Sequence, residues 1–150
     1  MPQSLSRVFV HIVFSTKYRQ DLIDENIEGR LFSYIGQVCK DMKCQPIQVG
    51  GYKDHIHILC SLSREVTQSE LLRQIKQYSS KWIKTIDSKY SSFYWQRGYG
   101  IFSVHYKNVE TVKRYILRQK EHHSSVNYQK EYLKILAESN TEYDERYVWD

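Results

Sequence analysis

The chain has 150 residues, 22 Lys and Arg against 17 Asp and Glu, a formal net charge of +5, and 41% hydrophobic side chains. One domain spanning 1–150 with a sizeable core is expected at this length. No apolar run approaches the roughly 18 residues of a membrane span, and MPQSLSRVFVHIVF lacks a small-residue cleavage site, so a cytoplasmic, non-membrane protein is expected. Cys39, Cys44 and Cys60 are odd in number and form no CxxC pair to hold zinc, so they do not suggest a disulfide framework, and reduced, mostly buried thiols are expected.

Residues 7–15, RVFVHIVFS, are β-branched and aromatic and predict a strand. Ile27, Leu31, Tyr34, Ile35, Val38 and Met42 recur at helical spacing over 24–43. Pro46 stops that helix, and IQVG at 47–50 opens a second strand, which Gly50-Gly51 interrupts. DHIHILCSL at 54–62 predicts a third strand, antiparallel to the second through a tight turn. TQSE at 67–70 has capping-box form, in which Thr67 and Glu70 satisfy each other's amides. The helix after it keeps Leu71, Leu72, Ile75, Tyr78, Trp82 and Ile86 on one face. GIFSVHY at 100–106 predicts a fourth strand, and helices follow over 109–123 and about 128–138. The order βαββαβ plus two helices predicts an α+β fold of the ferredoxin-like, RRM-like kind. Its four-stranded antiparallel sheet carries two helices on one face and leaves the other open. Many unrelated activities use this layout, so it does not by itself give function.

Chemistry enters at DHIHIL. A strand points residues i and i+2 to one face, so His55 and His57 lie side by side, opposite Ile56, Ile58 and Cys60. Six histidines give about a quarter of one such pair by chance, so the spelling alone is weak. The context is stronger, because a strand packed through its other face has little packing reason for two imidazoles. They could be structural, hold a metal, or act together on a substrate. Two imidazoles do not complete a metal site, and a hard ion wants oxygen donors as well. In VKRYILRQKEHH, Tyr115 and Gln119 stand at i and i+4 on one helix face, offering a phenol and a carbonyl oxygen. Alone, that pair is explained by an amphipathic helix with Tyr115 half buried. Joined to the histidines, it suggests a tyrosine nucleophile beside a divalent ion that polarises a phosphodiester. A phosphotyrosine link retains the bond energy, so a strand could be cut and rejoined without a nucleotide cofactor. The chain has neither GxxxxGK[ST] nor GxGxxG.

On these motifs the chain resembles the small single-tyrosine HUH transposases of insertion sequences and their repeat-associated relatives. STKYR at 15–19 is similar to the block ending their first strand, DHIHIL to their histidine–hydrophobic–histidine motif, and YILRQ to their Tyr-x-x-x-Gln. WQRGYGIFSV at 95–104 and YDERYVW at 143–149 resemble their later segments. The resemblance implies that His55, His57 and Gln119 hold Mg2+ or Mn2+. It implies that Tyr115 attacks single-stranded DNA near imperfect hairpins, leaving a 5′-phosphotyrosine and a free 3′-hydroxyl. It also implies a homodimer in which one subunit can complete its partner's site. Lys17, Arg19 and Arg97 flank this region as candidate phosphate contacts, and Tyr18, Tyr94 and Tyr99 could stack on bases, although solvated charge and ordinary packing explain them too.

Other histidines have plainer readings. His11 shares a strand face with Phe9 and Val13 and is read as a strand histidine with a supporting hydrogen bond. His122 and His123 end a helix, where a cation favours the dipole, with His122 a minor alternative ligand. Rival functions stay open: a repeat-processing enzyme, a domesticated hairpin-binding protein without turnover, or a non-catalytic RNA-binding module. The last stacks bases on strand aromatics, and none lies between Tyr52 and Leu62. A metal-free two-histidine phosphoesterase would want a second HxS/T motif.

Overall fold

The computed structural model describes residues 2–150. Its centre is β1, Phe9–Ser15, which pairs antiparallel with β3, His55–Ser61, on one side and with β4, Gly100–Val104, on the other. The second strand, β2, Pro46–Tyr52, pairs with β3 at the edge, so the sheet order is β2-β3-β1-β4. This is the four-stranded antiparallel α+β arrangement expected from the βαββαβ order.

Strand parity divides the sheet into two faces. Val10, Ile12 and Phe14 of β1 and Ile56, Ile58 and Cys60 of β3 are buried in the main core. They pack with Leu31 and Ile35 of α1, Glu28–Asp41, and Leu71, Leu72 and Ile75 of α2, Gln68–Ile86. Each such side chain contributes about 1.5–3 kcal/mol by leaving water. Tyr34 and Trp82 stack at 4.7 Å between the two helices. The amide of Glu70 donates to Thr67 Oγ1 at 3.1 Å, as the capping box requires. The Glu70 carboxylate, however, takes donors from Arg73 and Gln74 and leaves the reciprocal half unmade. The three cysteines are buried free thiols among the described residues.

The opposite face departs from expectation. It is not open: α3, Val109–Leu117, α4, Gln119–His122, and α5, Tyr128–Glu138, roof it. Val13, Tyr128, Tyr132 and Leu136 form a second core there. The helix expected over 109–123 is broken at Arg118, whose amide still bonds back to Arg114 and Tyr115. Gly50-Gly51 does not end β2, which continues to Tyr52. Gly50 has a packing role instead, because a Cβ there would meet the Ile116 Cγ2 at 2.8 Å and its carbonyl oxygen at 3.1 Å. Only the bare backbone lets α3 lie this close to β2. Among the described residues, no helix is long and apolar enough to cross a membrane.

Candidate metal and nucleophile site

His55 and His57 project from β3 into the space under the three C-terminal helices, and both are fully buried. Their register places them beside Ser15 and Val13 of β1. The roof supplies the remaining groups. The Tyr115 hydroxyl, from the last turn of α3, donates to Glu131 Oε2. Gln119, at the start of α4, donates through Nε2 to the same oxygen at 3.0 Å and turns its Oε1 to His55 Nε2 at 2.8 Å. Glu131 lies one turn into α5, whose N-terminus is capped by Asn127 accepting from the Lys130 amide. Structure therefore brings His55, His57, Tyr115 and Gln119 together within one chain.

The outer nitrogens of the paired imidazoles are also held. Asp54 Oδ1 lies 2.7 Å from His55 Nδ1, and His11 Nε2 lies 2.8 Å from His57 Nδ1. His11 thus makes the supporting hydrogen bond anticipated for it. Such outer partners fix the ring orientation and the tautomer of a ligating histidine. A consequence follows for His55. With Nδ1–H donated to Asp54, its Nε2 carries a lone pair, and the Gln119 oxygen that faces it is an acceptor too. Two acceptors 2.8 Å apart are stabilised by a cation that both can face. The donor set therefore fits a metal ion: two imidazoles and an amide oxygen converge, and Glu131 adds a carboxylate.

Burial and charge tune these groups. Burial, and then the neighbouring His57, pull His11 down to about 3. Burial likewise lowers His57, with Glu131 working against it. Burial, and then the adjacent Glu131 carboxylate, push the Tyr115 phenol well above its ordinary range. Burial acts to raise Glu131, but His123 and His57 outweigh it and hold the carboxyl well below the usual range. The resting site is an ionised carboxylate gripping a neutral phenol.

Two groups of this cluster escaped the sequence reading. Glu131 falls on the same helical stripe as Tyr128, Tyr132 and Leu136, all buried, and a charge on an apolar stripe is the signal that would have found it. His123 enters the cluster more deeply than His122: its side chain is only 2% exposed, against 31% for His122, whose Nε2 lies 3.4 Å from Glu131 Oε2. It follows Gln119 by one turn, as His122 nearly does, so helical spacing alone did not separate them.

Lys17, Tyr18, Arg19 and Arg97 line a single cleft of about 560 Å3, with Tyr94 and Trp149. Tyr18 and Arg19 sit at φ of 60° and 53°, a left-handed backbone that non-glycine residues adopt at a cost. That turn aims Arg19 Nη1 at the Trp149 carbonyl, 2.9 Å away. The cleft adjoins the buried site through Gln96, whose Oε1 lies 3.5 Å from the Tyr128 hydroxyl. The Tyr128 ring in turn packs on His55 at 4.8 Å. Tyr99 lies elsewhere, packed against the main core and under Lys76.

Comparison with known proteins places these features in context. The family model for IS200-like transposases matches residues 4–119. A Deinococcus radiodurans R1 protein described as a transposase has a similar structure, with TM-score 0.62 and 14% identity. The match covers 79% of this chain and 98% of that one. A REP-associated tyrosine transposase bound to a REP hairpin is similar at TM-score 0.60 and 14% identity, over 84% of this chain and 74% of that one. No curated protein sequence matches the chain.

Proposed function

This chain belongs to the IS200-like transposase family, and on that premise we propose that it cuts and rejoins single-stranded DNA through Tyr115. The observation that carries the reading is the hydroxyl of the half-buried Tyr115, held by Glu131 beside His55, His57 and Gln119. In the proposed step Tyr115 Oη forms a bond to phosphorus while the bond to the 3′ oxygen breaks. The phenolic proton leaves along the hydrogen bond to Glu131 Oε2 as the new bond forms, and the departing 3′ oxygen takes up a proton from water. The DNA is left with a 5′-phosphotyrosine and a free 3′-hydroxyl, which can attack in reverse on another strand. His55, His57 and Gln119 would hold a divalent cation, Mg2+ or Mn2+, which when bound supplies charge stabilisation to the scissile phosphate.

The substrate we propose is DNA with imperfect hairpins. Support comes from the cleft, whose Lys17, Arg19 and Arg97 offer three cations beside the stackable ring of Tyr18. The similarly folded REP-associated transposase is itself bound to a hairpin. A single domain acting as a homodimer is our reading of the assembly. Because all four groups meet within one chain, we place each site in cis. Mixing Tyr115→Phe with His57→Ala chains should then restore no cleavage, whereas restored cleavage would mean sites shared between subunits. The RNA-module reading fits poorly, since the sheet face such modules expose is here roofed, with His55 and His57 fully buried.

The test is direct. A hairpin oligonucleotide incubated with Mn2+ should yield a covalent protein–DNA adduct that Tyr115→Phe abolishes. An adduct undiminished in Tyr115→Phe would overturn the assignment.

A further inference from the structure

Glu131 and His123 are not accounted for by two histidines and a glutamine. The ring nitrogens Nε2 of His57, His123 and His55 converge on one oxygen, Glu131 Oε1, at 3.0, 3.1 and 3.4 Å. One ligand atom from each of these four residues lies within 4.8 Å of all the others. The Nε2 of His123 is buried and, for all its nearness to that oxygen, makes no hydrogen bond among the described residues; the Nε2 of His122, 3.4 Å from Glu131 Oε2, is the other such atom. His123 is nevertheless held in place, stacked on Tyr52 at 5.7 Å and edge-on to His55 at 4.4 Å. A ring nitrogen desolvated without a partner destabilises the fold. A site built to receive a ligand at that nitrogen explains why the ring is buried there.

We propose, resting on the strand-transfer reading above, that His123 and Glu131 join His55, His57 and Gln119 as cation ligands, making a site of three imidazole nitrogens, one carboxylate oxygen and one amide oxygen from a single chain. Glu131 then divides its work: Oε1 serves the cation, and Oε2 keeps the Tyr115 hydroxyl and the Gln119 amide. One carboxylate thereby couples the cation to the position of the nucleophile. The donor set also carries selectivity. Imidazole nitrogens suit Zn2+ best, and of the two harder ions Mn2+ accepts them more readily than Mg2+, which holds to oxygen donors and retained water. This site therefore takes Mn2+ in preference to Mg2+, with one ion per chain.

Mn2+ titration of the full chain, read by the loss of the free-ion electron paramagnetic resonance signal, tests this without reference to activity. We expect one Mn2+ per chain, at least tenfold weaker binding in Glu131→Gln and in His123→Ala, and unchanged binding in His122→Ala. Spin-echo modulation on the wild-type protein counts the ligating nitrogens directly, and so needs no variant to fold. Three imidazoles support the proposal, and two would overturn it, as would Mn2+ affinity unmoved in both folded variants. The two readings fail separately. Three-nitrogen Mn2+ in a protein that forms no hairpin adduct would uphold this site and sink the strand-transfer reading. Adduct formation with a two-nitrogen ion would do the reverse.

Discussion

Gly50→Ala adds a single methyl on the strand residue paired with His57, and it should slow the proposed chemistry. The new Cβ would lie 2.8 Å from Ile116 Cγ2 and 3.1 Å from the Ile116 carbonyl oxygen. Carbon atoms pack best at about 3.5–4.0 Å, so the first contact is short by roughly 0.7–1.2 Å. The isoleucine cannot easily swing away, because a β-branched side chain in a helix has one strongly preferred χ1. Its carbonyl cannot move without the helix. The relief is a displacement of α3 from β2 by several tenths of an ångström, and Tyr115 is the residue next to Ile116. Overpacking of this kind costs about 1–3 kcal/mol, reduced by the ~0.4–1 kcal/mol that Gly→Ala contributes through the unfolded chain. A misplacement near 1 Å costs about a hundredfold in rate, so adduct formation should fall about tenfold to a hundredfold while the protein stays folded. Single-turnover adduct formation on a hairpin oligonucleotide, with urea unfolding in parallel, measures both quantities. Gly29→Ala is the control, since nothing lies within 4 Å of its added Cβ. If Gly50→Ala matched the wild type in rate and stability, the claim that this glycine sets the height of the nucleophile above the sheet would be wrong.

Other consequences can be checked separately. His11 has a folded pKa of about 3, below its unfolded value of about 6.5. As pH falls the unfolded chain therefore takes up its proton first: the stability is full above about 6.5 and drains away toward 3. Between pH 7 and pH 5 this amounts to about 2 kcal/mol, and urea midpoints should show His11→Gln losing that much less than the wild type. An identical pH dependence in both proteins would contradict it. In the cleft, Lys17→Ala and Arg97→Ala should each weaken single-stranded DNA binding regardless of sequence. Each should also flatten the slope of log K against log salt by about 0.7. A salt slope that stayed at the wild-type value would place both side chains off the DNA path.

The sequence by itself determined what depends on local periodicity. Alternation along β3 put His55 and His57 on one face because a strand repeats every two residues. The helical period put Tyr115 and Gln119 on one side of their segment. The βαββαβ order was legible for the same reason, since β-branched runs, the Thr67 cap and the apolar stripes are each written within a few neighbouring residues. The tertiary structure decided what those periods cannot express. No local signal says that α3, α4 and α5 fold back over the histidine face, because that depends on Val13 and Leu136 finding each other across most of the chain. It is this return that buries the histidines, sets His123 deeper than His122, and carries Glu131 across 74 positions to His57. Gly50 reads locally as a strand breaker, and only the approach of Ile116 makes it a spacer. Spacing along a chain fixes which side chains share a face, but what that face meets is set by contacts between segments distant in sequence.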